Sequence, residues 1–199
     1  VVSNAVRPPM GIEGKEHITV SQKLYYNPNP NLSVLVYGSS FFMNTYDLIQ
    51  DMTFSQARDW TAGTKVTYHV KDWFSVTGSL HADFYDRFKR HERIDKRQKD
   101  YESSIYQPRL TVTSNYFNGH SLILGMEHTS DELTSDRFSG NANHDLKTRA
   151  LKETEYFLQD EWTINPRWMI SVGIRTNFSK AFGFMGMPKV AAKYSPDKH

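Results

Sequence analysis

The 199 residues suffice for one domain, are marginal for two, and include no cysteine, which excludes a disulfide framework and any thiolate nucleophile or metal ligand. Lys and Arg total 24 against 22 Asp and Glu, and the resulting net charge of +2 lends nucleic-acid binding no support. Aromatic content of 14% excludes a disordered chain, and with a mean hydropathy of -0.62 no apolar run nears the roughly 20 residues of a membrane helix.

Period-two alternation dominates the chain. A first pair of segments, Ile18 to Tyr26 and Leu32 to Phe42, is joined by Asn27-Pro28-Asn29-Pro30-Asn31. From Trp60 the even positions read Trp60, Ala62, Thr64, Val66, Tyr68, Val70, and Thr61, Gly63, Lys65, Thr67, His69 fall between them. After Lys71-Asp72 the pattern resumes as Phe74, Val76, Gly78, Leu80, Ala82, Phe84, which predicts a long hairpin with a two-residue turn. Tyr106 to Tyr116 and Ser121 to Glu127 form a second hairpin around Asn118-Gly119, the strongest short hairpin signal. Tyr156 to Trp162 and Trp168 to Ile174 flank Asn165-Pro166, and a ninth strand is predicted over Lys189 to Tyr194.

The connections alternate in length. Short turns fall at 27–31, 71–72, 118–119 and 165–167, and long polar loops at 45–59, 86–104, 129–153 and 178–187. Short turns on one side and long loops on the other are the signature of outer-membrane β-barrels. Trp60, Trp73, Phe84, Tyr106, Tyr116, Trp162 and Trp168 sit near strand ends, where a membrane interface favours a ring with an apolar body and a polar edge. The fold class is therefore all-β, an antiparallel up-and-down set of about nine transmembrane barrel strands. Two alternatives stay open at this point. A complete small outer-membrane barrel, an adhesin or a rim enzyme, requires an even strand number and a closed circuit. A soluble β-barrel ligand carrier requires apolar residues facing inward.

The stretch Phe157-Leu158-Gln159-Asp160-Glu161-Trp162, followed by Asn165-Pro166-Arg167-Trp168 and Gly173-Ile174-Arg175, closely resembles the TonB-dependent outer-membrane receptors. Pro188-Lys189-Val190 and Tyr194-Ser195-Pro196 match the family's continuation after the next surface loop. Thr176-Asn177 stands where the family usually has Tyr-Asp. The motifs span 156–196, and the remainder agrees by hairpin rhythm. The resemblance implies a section of a barrel of about 22 strands. It also implies nutrient capture at the outer loops, for a ferric siderophore, haem or similar, with uptake driven by the TonB complex and a plug domain inside the barrel. No plug domain, TonB box or signal peptide is read in 1–199, so the expectation is a single barrel segment from within a longer receptor.

Candidate ligand contacts are Arg87, Lys89, Arg90 and His91 in the basic loop 87–99, and His144 in the loop 129–153, because basic side chains pair with anionic ligands or lipopolysaccharide phosphates. Haem would need axial His or Tyr, for which His91, His144 and Tyr101 are placed on outer loops. Asp131, Glu132, Asp136, His144 and Asp145 are oxygen and nitrogen donors, but their irregular spacing fits no compact metal pattern. Lys65, His81, Arg109, Glu127 and Arg175 are predicted to face the lumen, where plug contacts are expected. No nucleophile is grouped with the same-strand pair His81 and Asp83, so no catalytic role is assigned. The chain is read as requiring no cofactor, with outer-membrane lipid, a nutrient ligand, the plug and the TonB complex as partners and no nucleic acid.

Overall fold

A computed structural model describes residues 13–47, 52–90, 97–135, 138 and 146–196. The strands are β1 (Glu13–Asn29), β2 (Leu32–Asp47), β3 (Met52–Lys71), β4 (Phe74–Arg90), β5 (Arg97–Ser114), β6 (His120–Ser135), β7 (Lys147–Asn165), β8 (Trp168–Ser179) and β9 (Gly183–Tyr194). They form one sheet in chain order, every neighbour antiparallel. β1 and β9 do not pair with each other, so the nine strands form an open wall rather than the closed circuit of a small complete barrel.

The short turns follow their local chemistry. Asn29 Oδ1 accepts from the Asn31 amide at 3.0 Å, so the first turn is tighter than the five-residue link read from sequence. Asn165 Oδ1 accepts from the amides of Arg167 and Trp168 at 2.9 and 3.0 Å, closing the turn after β7. A register shift between His69 and Lys71 moves the next turn one residue later than expected, to Asp72-Trp73. β5 ends at Ser114, so Tyr116 belongs to the link before β6 rather than to a strand. Gly119 closes that link with φ +78°, a conformation disfavoured for any residue with a Cβ.

The long connections predicted from sequence are mostly strand. β3 runs for 20 residues and β7 for 19, well into the segments expected as loops. Their ladders persist where the apolar alternation fades, because cross-strand pairing and backbone bonding sustain a strand without a lipid-facing side. The β5–β6 ladder skips Gln107 and Pro108, consistent with the missing proline N–H, while Pro108 still opposes Leu80 of β4.

Residues paired across strands share a face. Val34, Val66, Gly78, Leu110, Met126 and Tyr156 form one row, and Leu35, Lys65, Ser79, Arg109, Glu127 and Glu155 form an adjacent row on the opposite face. Large apolar groups stay exposed on the first face, Val190 at 76%. Along β4 and the middle of β7 the exposed positions fall on that face, whereas polar-face neighbours are partly covered. Crowding marks the polar face as the inner, concave one. Ala57 is the sole buried hydrophobic residue among the described residues, so there is no inward apolar core of the kind a soluble carrier needs. Aromatic pairs bound the outward band: Phe42–Trp60 and Phe84–Tyr106 at one end, Trp73–Tyr116 and Trp168–Tyr194 at the other. Trp60 to Val70 covers about 33 Å of strand at roughly 3.3 Å per residue, or about 25 Å of height at barrel tilt.

Candidate functional site

Midway along the polar face, side chains from six strands make contacts. Gly63 leaves room for the Tyr37 ring, whose hydroxyl lies 3.0 Å from His81 Nδ1. Gly125 does the same for Phe157, over which the Arg109 guanidinium sits at 4.8 Å. Arg109 also reaches Glu127 at 3.6 Å, and Arg175 pairs with Glu155 at 2.5 Å. Asn177, at the position where the sequence departs from the family pattern, is buried and donates to Glu153 at 3.1 Å. His81, Arg109, Glu127, Arg175 and Lys65 all lie on the polar face, and four of them make side-chain contacts there.

Toward the extended-strand end, Asp59, Asp83, Tyr85, Arg87, Tyr101 and Ser103 line an open concavity of about 480 Å³. A β-bulge builds its edge. Arg87 pairs with Tyr101 and Phe88 with Lys99, so Asp100 is the extra residue. Asp100 is only 4% exposed and accepts two hydrogen bonds from Arg87, at 3.1 and 2.9 Å, with Lys89 at 3.4 Å. Tyr85 and Tyr101 meet edge to face at 5.5 Å, and Arg87 lies over the Tyr101 ring at 5.4 Å. Across the concavity the Thr61 hydroxyl donates to Asp83 at 2.8 Å. Burial, then the charge of Asp83, raises the Asp59 carboxyl above its ordinary range. Burial likewise raises the Tyr85 phenol, against the opposing pull of Arg87. Lys99 loses solvation, but hydrogen bonds to Asp86 and Glu102 more than offset that, and its ammonium titrates above the usual lysine value.

Several predicted placements change. Arg87, Lys89 and Arg90 belong to β4 and Tyr101 to β5, not to loops, because the two strands stay paired as far as Arg90 and Arg97. The charges of Arg87 and Lys89 are met by Asp100, a partner that no sequence spacing announces because the bulge creates it. His91 and His144 lie outside the described residues. Asp131 and Glu132 are adjacent on β6 and point to opposite faces, so they cannot hold one metal ion together. Glu155 and Tyr37 were not singled out from the sequence, although strand parity alone places both inward.

Residues 14–199 match the family model for the TonB dependent receptor-like β-barrel. The chain belongs to this family. Barrels of the TonB-dependent receptor family are bacterial outer-membrane proteins, receptors and transporters rather than enzymes. A mutant of the ferric enterobactin receptor PfeA from Pseudomonas aeruginosa superposes with a TM-score of 0.82 at 13% identity, covering 100% of this chain and 33% of that one. The siderophore receptor PirA from Acinetobacter baumannii gives 0.74 at 11% identity over 94% and 32%. The siderophore receptor PiuA from the same organism gives 0.63 at 9% over 92% and 39%. At these identities the likeness is one of fold. The chain spans about a third of the length of the first receptors it matches, at 33% and 32%. No curated protein sequence matches it.

Proposed function

We infer that the chain forms one section of the wall of an energised outer-membrane receptor for a ferric siderophore. The observation that carries this reading is the exposed apolar band on the convex face, bounded at both ends by aromatic pairs and, among the described residues, backed by no inward core. Lipid is the medium in which such a face is stable, and a continuous ladder satisfies the backbone groups that would otherwise cost several kcal/mol each there. The polar face, with Lys65, His81, Arg109, Glu127 and Arg175, then meets water and a plug domain. The concavity of Tyr85, Arg87 and Tyr101 lies at the end where strands outrun the band, so nutrient contacts are assigned there. Arg87, which lines the concavity, is a proposed ligand contact held by Asp100 together with Lys89, and Lys89, Arg90, His91 and His144 are the further ligand contacts proposed from the sequence. Uptake through this wall would be driven by the TonB complex.

The test is refolding of the full chain with and without detergent, read by circular dichroism and size exclusion. Strand signal that requires detergent supports the reading, and a cooperative soluble monomer overturns it. Titration with ferric enterobactin, a catecholate siderophore, tests the nutrient class. Saturable quenching of intrinsic fluorescence, weakened in Arg87→Ala, supports it, and absence of saturable quenching rejects it.

A further inference from the structure

One charged group on the outward face is left unexplained by a barrel wall. Even positions of β7 turn Tyr156, Leu158 and Trp162 outward, and Asp160 shares their parity. Its neighbours across the sheet are Leu122 and Val172, with Val190 beyond. An ionised group at a lipid-facing strand position is unfavourable, less so near the interface than at the midplane. The pair sits near the short turns: His120 opens β6 directly after Gly119, and Asp160 is five residues before the end of β7.

His120 Nδ1 lies 2.8 Å from Asp160 Oδ2. The His120 ring is held nearly parallel to Trp162, with 9° between planes and 5.3 Å between centroids. Asp160 Oδ1 is enclosed and accepts no hydrogen bond. A carboxylate has about four acceptor positions, two on each oxygen; with Oδ1 enclosed, the capacity open to an outside donor is the second position of Oδ2, beside His120. The Asp160 side chain is still 37% exposed on the outward face. Two rows nearer the turns, Trp168 and Tyr194 present a second aromatic pair at 4.8 Å. An under-satisfied carboxylate beside ring faces selects a cation that donates hydrogen bonds. At interfacial depth on a lipid-facing wall, the group of that chemistry is the primary ammonium of an aminophospholipid.

We propose that His120, Asp160 and Trp162 form a docking site on the outward face for the ethanolamine headgroup of a phospholipid, its ammonium donating to the Asp160 carboxylate. The site rests on the reading that this face meets lipid. His120 positions the carboxylate and Trp162 fixes His120.

The test uses the full chain in detergent micelles and native mass spectrometry. Phosphatidylethanolamine, its N-monomethyl and N,N-dimethyl derivatives and phosphatidylcholine, all with the same acyl chains, are added in turn. Retention is expected to fall with each lost N–H, by about tenfold or more across the series, because a hydrogen bond to a charged group is lost. Asp160→Asn, which keeps the side-chain shape, is expected to bring the series within about twofold. Equal retention of all four lipids by the unaltered chain overturns the site, as does selectivity that survives Asp160→Asn. The methylation series needs no variant, so a poorly folding mutant does not decide the matter. Circular dichroism in the same micelles reads the barrel wall separately, so equal retention by a strand-rich chain refutes the docking site alone.

Discussion

Gly125 offers the sharpest perturbation of the polar face. A Cβ at this position would stand 2.3 Å from Phe157 Cζ and 2.7 Å from the Leu110 carbonyl oxygen. The ring can swing aside. The oxygen cannot, because it belongs to the backbone of β5, paired with β6 at Leu110 and Met126. Swinging the ring also removes the surface over which Arg109 sits at 4.8 Å. Overpacking of this kind costs about 1–3 kcal/mol. Loss of the cation–π contact adds about 0.5–1 kcal/mol at a part-exposed site. Replacing a strand glycine returns about 0.5–1 kcal/mol of chain entropy. Gly125→Ala is therefore expected to destabilise by about 1–3 kcal/mol. Gly78→Ala is the control, since nothing lies within 4 Å of a Cβ built there. It is expected to be neutral or stabilising by up to about 1 kcal/mol. Urea unfolding in micelles, followed by tryptophan fluorescence, measures both. Equal effects of the two substitutions, or greater damage from Gly78→Ala, would refute the reasoning.

Asp59→Asn tests the raised carboxyl beside Asp83. A folded-state pKa above the ordinary 3.8 contributes stability at low pH that is lost as pH rises through the folded value. The substitution should raise the urea midpoint at neutral pH, with the gain disappearing below that ordinary value; a gain independent of pH contradicts this. Asp100→Ala leaves Arg87 and Lys89 without their shared carboxylate and should cost about 1–2 kcal/mol, less than a fully buried pair because both cations reach solvent. No change in unfolding midpoint would show that the bulge needs no such anchor. Tyr37→Phe removes the 3.0 Å contact with His81 and should cost about 0.5–1.5 kcal/mol in the same assay.

Alternation made the outward band legible. Trp60 to Val70 and Phe74 to Phe84 read as one hairpin from residue parity, and the ladder pairs Trp60 with Phe84 as that parity requires. Asn118-Gly119 marked its turn through a glycine that adopts φ +78°. The strand ends were not legible. Between Asp86 and Tyr101 the residues are charged on both faces, so no periodicity records that Arg87 still opposes Tyr101. Pairing there depends on the neighbouring strand, which one segment's composition does not contain. The concavity followed the same limit: Asp100 reaches Arg87 through a bulge, and a one-residue register shift leaves no trace in spacing. Asp160 was not legible either: its charge shares the parity of Leu158 and Trp162, which leaves the face of that strand open in the sequence, and its partner, His120, sits 40 residues away.

The central claim is that even-numbered positions on β3 and β5 face lipid and odd-numbered ones face the lumen. The chain has no cysteine, so each introduced cysteine carries the only label. Val66→Cys and Leu110→Cys lie outward, and Thr67→Cys and Thr111→Cys lie one residue along on the opposite face. A fluorophore on each, in the chain reconstituted into vesicles, is exposed in turn to bromine-labelled acyl chains and to aqueous iodide. The account predicts quenching by the lipid at Val66 and Leu110 and by iodide at Thr67 and Thr111. A reversed pattern, or equal quenching at all four positions, would contradict it.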